Sequence, residues 1–201
     1  MKTWTLVRHG ESTANAKSVL SGWQDVSLTK KGRKQAKDAG VQLASQTWDL
    51  VISSDLKRAR ETAEIALLER SKICGTPPQP IHFDPRFRER SLGIFQGKDK
   101  TELRENGTMH RLRQWDFEQE GVESNQRLWQ RLTEGMRSYQ EKRVLLFAHG
   151  GVIRLLLSWN NRHLHSDSST MKIENASIHE IGFTIEAIDS NWVDVNYGKQ
   201  R

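Results

Sequence analysis

The sequence predicts an α/β fold: a three-layer α/β/α sandwich, its mostly parallel central sheet carrying one antiparallel strand and helices on both faces. Three observations lead there. Short apolar runs at Trp4–Val7, Trp48–Ile52 and Val144–Ala148 each end in a polar turn and then a helical pattern, the mark of parallel strands joined by crossover helices. The first and third runs end in the same pair, His9-Gly10 and His149-Gly150. No repeat, low-complexity tract or linker divides the 201 residues, so residues 1–201 read as a single domain with room for a substantial core.

Taken in order, Trp4–Val7 reads as a buried strand that stops at Arg8-His9-Gly10. That places a permanent cationic fork and an imidazole at a strand end, where open α/β sheets bind ligands. Ser21 to Asp25 reads as a turn, and Thr29 as the N-cap of a helix running through Gly32, Ala36, Ala39 and Leu43. After Trp48–Ile52, Ser53-Ser54-Asp55 is expected to cap a helix over Leu56–Leu68. Arg58 sits in its first turn, against the helix dipole, which suggests that the cation serves something outside the helix; Arg60 reads as solvated.

Cys74 to Pro80 reads as a loop, and Ile81-His82-Phe83 as a short edge strand stopped by Pro85. Glu89 lies between Arg88 and Arg90 in an aperiodic, Gly-punctuated stretch, where spacing alone favours a surface ion-pair cluster over a held functional carboxylate. A helix is expected around Thr101–Glu105, with a turn at Asn106-Gly107, and another over Val122–Tyr139, where Leu128, Leu132 and Met136 recur at helical spacing. Trp115 and Trp129 read as packing residues. Val144–Ala148 and the helix Val152–Trp159 mirror the opening of the chain, so His149 is expected to share a crevice with His9. His163 and His165 lie in a Ser-rich stretch with no third ligand nearby and read as solvated. Asn175–Phe183 and Ala187–Val195 read as the last, antiparallel strands.

Composition narrows the class without fixing it. Hydrophobic residues make up 35% and charged residues 28%, and the apolar positions recur periodically, which excludes a disordered chain. The net charge of +6 favours anionic partners in general. Lys and Arg are scattered with no basic tract, so no nucleic-acid partner is expected. A single cysteine, Cys74, permits no intrachain disulfide and suits a reducing compartment. The N-terminal apolar run is too short for a signal peptide, and Val144–Trp159 contains His149 and Arg154, so no membrane span is expected. The chain reads as cytoplasmic, a monomer or homodimer.

Six blocks in order resemble the histidine phosphatase superfamily, which includes the cofactor-dependent phosphoglycerate mutases. They are Arg8-His9-Gly10-Glu11-Ser12 with Asn15; Gly22-Trp23 with Asp25, Leu28-Thr29, Gly32 and Gln35-Ala36; Ser53-Ser54-Asp55-Leu56 with Arg58-Ala59 and Glu61-Thr62-Ala63; Glu89 with Gly93 and Gly97; Glu123-Ser124 with Arg131; and Ala148-His149-Gly150-Gly151. The chain departs at Gly121-Val122, where the family often has Pro and Gly, and at Phe95-Gln96-Gly97, where many phosphatases have Trp-Glu-Gly. These departures bear on substrate choice and leave the chemistry intact.

The resemblance implies that His9 is a nucleophile forming a phosphohistidine. Arg8, Arg58 and His149 would surround the phosphoryl oxygens, with Asn15 and the Gly150 N–H adding donors. Neighbouring cations would keep the His9 ring neutral. Glu89 would be the general acid and base; that role needs Arg88 and Arg90 to turn away from it. Ser21, Gly22 and Gly151 are expected at the substrate. No metal and no cofactor are implied, apart from 2,3-bisphosphoglycerate in a mutase.

Between phosphatase and mutase, the compact, Pro-free stretch Lys98–Arg143 favours hydrolysis of a small phosphomonoester. The glycolytic mutases carry a longer, Arg- and Pro-rich covering segment there. His110, Arg111, Arg113 and Trp115 form a basic-aromatic cluster suited to an anionic or ring-bearing substrate. A silent phosphate- or nucleic-acid-binding module is the remote alternative.

Overall fold

A computed structural model describes residues 1–119, 121–161 and 171–188. In chain order it contains β1 (Lys2–Arg8), α1 (Thr13–Ala16), α2 (Lys30–Gln42), β2 (Leu50–Ser53), α3 (Lys57–Cys74), β3 (Ile81–Phe83), α4 (Lys100–Glu105), α5 (Thr108–Arg111), α6 (Asn125–Ser138), β4 (Arg143–Ala148), α7 (Gly150–Asn160) and β5 (Ile178–Phe183). The strand order is β3-β2-β4-β1-β5. Pairing is parallel from β3 through to β1, and β5 runs antiparallel to β1.

The period-two alternation of strand side chains divides the core between the two faces of the sheet. Trp4 and Leu6 of β1, with Val144 and Leu146 of β4, pack against Leu128 and Leu132 of α6 and Val152 and Leu156 of α7. Val7, Leu145 and Phe147 point the other way, to Ala63, Ala66 and Leu67 of α3 and to Leu43 at the end of α2. Thr5 is buried on that second side because the Trp48 indole N–H donates to its hydroxyl at 3.0 Å. A third apolar cluster, including Leu92, Leu103, Leu112 and Val122, lies under the loops around Glu89. No helix among the described residues is long and apolar enough to cross a membrane.

Thr29 caps α2 as expected, accepting from the Gly32 N–H at 3.0 Å. The expectation for Ser53-Ser54-Asp55 needs correcting. The N-cap position of α3 is Leu56, with no side-chain cap; Ser54 Oγ accepts from the Leu56 N–H at 3.3 Å, and Asp55 instead takes a fork of bonds from Arg88. The helix also runs past Leu68, because buried Arg70 still has partners there, donating to the carbonyls of Leu43 and Gln46. Cys74 is therefore not in a loop but ends α3, which closes at Gly75 with φ 67°. The Asn175–Phe183 run pairs only from Ile178, after a turn in which Ala176 holds φ 58°. The strand expected over Ala187–Val195 does not begin: residues 185–188 form a helical turn. Residues 189–195 lie outside the described residues, as do His163 and His165.

Candidate active site

Because β1 and β4 are adjacent and parallel, with Arg8 opposite Ala148, their two His-Gly ends emerge side by side. The His9 and His149 rings lie 5.3 Å apart, centroid to centroid. The His9 backbone is fixed on both sides, its N–H donating to the Ala148 carbonyl at 3.0 Å and its carbonyl accepting from Asn175 Nδ2 at 3.1 Å and the Ala176 N–H at 3.2 Å. His9 Nδ1 is 2.7 Å from the Gly10 carbonyl. A carbonyl only accepts, so Nδ1 carries the proton and Nε2 holds the lone pair of the neutral ring. Burial first, then Arg58 and Arg8, hold His9 well below the usual imidazole range.

Arg58 is fully buried in the first turn of α3, where it donates to the carbonyls of Gly22 at 2.8 Å and Gln24 at 3.0 Å while its Nε has no partner. Burial pushes its guanidinium down to about 10. Arg8 donates to the Ile173 carbonyl and likewise keeps an unpartnered Nε. Asn15 Oδ1 accepts from the Ser12 N–H, the Ser12 hydroxyl and Asn175 Nδ2, at 3.1, 3.0 and 3.3 Å. With Oδ1 so occupied, Asn15 has its amide hydrogens to offer a ligand. His149 sits differently. It packs against His9 without lining the cavity, its Nε2 is 2.8 Å from Ser54 Oγ, and its buried Nδ1 has no partner. Burial, then Arg58 and His9, hold its ring neutral as well.

Glu89 faces this group from the loop after β3. Its Oε1 accepts from the Arg90 N–H at 2.8 Å, and its Oε2 from the Gly151 N–H, in the first turn of α7, at 3.0 Å. A Cβ on Gly151 would lie 2.2 Å from Glu89 Oε1, so only glycine lets the carboxyl approach the helix this closely. Arg88 turns away as expected, onto Asp55 and over the Trp23 ring. Arg90 does not: buried, it lines the same cavity as Glu89 and donates to the Leu112 carbonyl, leaving Nη1 unpartnered.

These groups open into a cavity of about 470 Å³. Arg8, His9, Asn15, Ser21, Gly22 and Arg58 form one part of its wall, with Glu89, Gly150 and Gly151 beside them. Arg113 and Trp115 line it too, while His110 and Arg111 do not. Sequence reasoning passed over Arg90, Lys100, Arg104 and Arg154, which also line it. Burial lowers Lys100, Arg90 and Arg154 from their ordinary values. Arg154 did carry a signal: a cation inside the apolar stretch Val152–Leu157 needs a polar reason to be there. Lys100 and Arg104 look in sequence like any solvated helix charge. No cluster of three or more His, Cys, Asp or Glu suited to a metal ion occurs among the described residues.

Residues 4–194 match the family model described as the histidine phosphatase superfamily, branch 1. The chain is 32% identical over 185 residues to a broad-specificity phosphatase of Saccharomyces cerevisiae, a match covering 88% of this chain and 73% of the yeast protein. It is 33% identical over 170 residues to a 2,3-bisphosphoglycerate-dependent phosphoglycerate mutase of Cytophaga hutchinsonii, covering 78% and 76%. Among solved structures, a mycobacterial glucosyl-3-phosphoglycerate phosphatase in complex with VO3 superposes with a TM-score of 0.73 at 26% identity, covering 90% of this chain and 92% of that one.

Proposed function

Because the chain belongs to the histidine phosphatase superfamily, branch 1, we propose that it hydrolyses a phosphomonoester of a small metabolite through a phosphohistidine on His9. The observation that carries this reading is the His9 ring, neutral and oriented by the Gly10 carbonyl, beside unpartnered Arg8 and Arg58 N–H groups and with Glu89 on the same cavity. The His9 Nε2 lone pair attacks phosphorus as the bond to the ester oxygen breaks, and that oxygen takes a proton from Glu89. Water then attacks phosphorus, gives a proton to Glu89, and the P–N electron pair returns to Nε2. Arg8, Arg58, Asn15 and the Gly150 N–H stabilise the charge on the transferring group, and His149 packs behind them against the His9 ring. In this reading the guanidiniums supply the positive charge, so the reaction calls for no metal and no cofactor.

The outer part of the cavity bears on the substrate. Arg90, Lys100, Arg104, Arg113 and Arg154 add positive charge beyond the groups around His9, while Met109, Leu112 and Trp115 supply apolar surface. The unpartnered Arg90 Nη1 supports a substrate carrying a second anionic group on a partly apolar body. The same charge would also hold a bisphosphate, which keeps the phosphoglycerate mutase as a second reading. Exposed Arg104 and Arg113 border the cavity, and water reaching it by that side favours hydrolysis. The substrate class also fits a cytoplasmic enzyme.

Phosphate release from a panel of phosphomonoesters, wild type beside His9→Ala, tests the proposal, with 3-phosphoglycerate plus 2,3-bisphosphoglycerate included. Hydrolysis that disappears in the variant is expected. Interconversion of phosphoglycerates without net phosphate release would replace the phosphatase by the mutase. Hydrolysis that survives His9→Ala would remove His9 as nucleophile.

A further inference from the structure

The backbone around Glu89 has little hydrogen-bonded structure of its own. The Trp23 indole N–H donates to the Glu89 carbonyl at 2.6 Å, and one guanidinium from α6 makes the other side-chain bonds to the carbonyls of this stretch. Arg131 places all five of its N–H groups. Nε and one hydrogen of Nη2 fork onto Glu123 Oε1 and Oε2 at 2.6 and 2.8 Å. Nη1 donates to the carbonyls of Arg86 at 2.6 Å and Arg88 at 2.8 Å, and the remaining Nη2 hydrogen goes to the Glu89 carbonyl at 2.9 Å. Glu123 completes the clamp: its Oε2 accepts from the Ser91 N–H at 3.2 Å, and its own N–H donates to the Ser91 carbonyl at 3.0 Å. Both side chains are mostly buried, at 16% and 12% exposure.

The carbonyls of Arg88 and Glu89 belong to the two peptide planes that meet at the Glu89 Cα. Fixing both sets the direction in which the carboxyl leaves the backbone. We infer that Arg131 is the positioning residue for the Glu89 carboxyl, acting through these carbonyls and braced by Glu123. The inference rests on the proposed role of Glu89 as proton donor and acceptor. Lysine would keep the charge at this position, but its single ammonium cannot serve three carbonyls and a carboxylate in these directions.

A proton donor matters most when the leaving oxygen is basic, and this gives a readout that general loosening of the pocket would not move. Wild type, Arg131→Lys and Glu89→Gln are compared on an alkyl ester, glycerol phosphate, and on p-nitrophenyl phosphate, whose phenolate leaves without a proton. Thermal melting checks folding. On the alkyl ester the single-turnover release of glycerol, which reports the same first step, is expected to slow on the order of 10²-fold in both variants, with KM for Arg131→Lys kept within about threefold. The nitrophenolate burst, which reports attack by His9 alone, is expected to slow by less than about tenfold.

Equal losses on both esters in Arg131→Lys, while Glu89→Gln separates them, would overturn the positioning role and leave Glu89 in place. Glu89→Gln failing to separate them would remove Glu89 as the acid, and the inference with it. If Arg131→Lys does not fold, Glu123→Gln is read in the same assay. A smaller split in the same direction is expected, and equal losses overturn the inference.

Discussion

His9 and His149 are buried among guanidiniums and held neutral, and that arrangement has a stability consequence with a definite sign. In the unfolded chain each returns to an ordinary value of about 6.5. Below that pH the unfolded state binds protons that the folded state refuses, so the contribution to stability is present above about 6.5 and is lost as pH falls. The limit is about 1.4 kcal/mol per pH unit for each ring. Melting temperature is therefore expected to drop between about pH 7 and pH 5, above the ordinary carboxylate range, and less steeply in His149→Asn than in wild type. Identical slopes would mean that the His149 ring carries none of this dependence. At this scale the sequence was uneven. Arg8 and His9 stood out because they interrupt an apolar strand. Glu89, flanked by arginines, has the pattern of a surface ion pair, and the backbone N–H groups of Arg90 and Gly151 that hold its carboxyl leave no mark in the sequence.

The opening loop and α2 meet with almost no space between them. A Cβ on Gly10 would lie 2.3 Å from the Gly32 carbonyl oxygen, and one on Gly32 would lie 2.1 Å from the Glu11 carbonyl oxygen. Both obstacles are backbone, so neither can swing aside. Gly32→Ala is expected to destabilise the fold by about 1–3 kcal/mol and to lower kcat by displacing the loop that carries His9. Chemical denaturation beside turnover checks it, and unchanged values of both would deny the close contact. Strands and long helices were readable because apolar periodicity spans a whole element, as at Leu128, Leu132 and Met136 in α6. Helix ends and short turns were less so. Asp55 has the composition of a cap but is drawn off by Arg88, and the four-residue α1 has too few positions to show a period. Asn175, which ties His9 to Asn15, lies in a turn whose sequence gives no sign of its partners.

A chain of net charge +6 gathers Arg8, Arg58, Arg90, Lys100, Arg104, Arg113 and Arg154 around one cavity, with Glu89 the one acid lining it among the described residues. Such a field draws anions in, and salt screens it over about 10 Å at 0.1 M. kcat/KM is therefore expected to fall with added salt several-fold more for a phosphomonoester bearing a second anionic group than for one without. Equal salt dependence would show that the outer cations do not meet the substrate. The sheet order has a consequence for how the molecule is made. β1 is the first strand of the chain, yet its two neighbours, β4 and β5, come from the last third of it. While the chain is being synthesised, β1 has both hydrogen-bonding edges open until residues beyond Arg143 emerge, and an unpaired apolar strand is a template for aggregation. A nascent chain shorter than that leaves Trp4–Val7, buried in the folded protein, uncovered on both edges, a segment for a chaperone to hold.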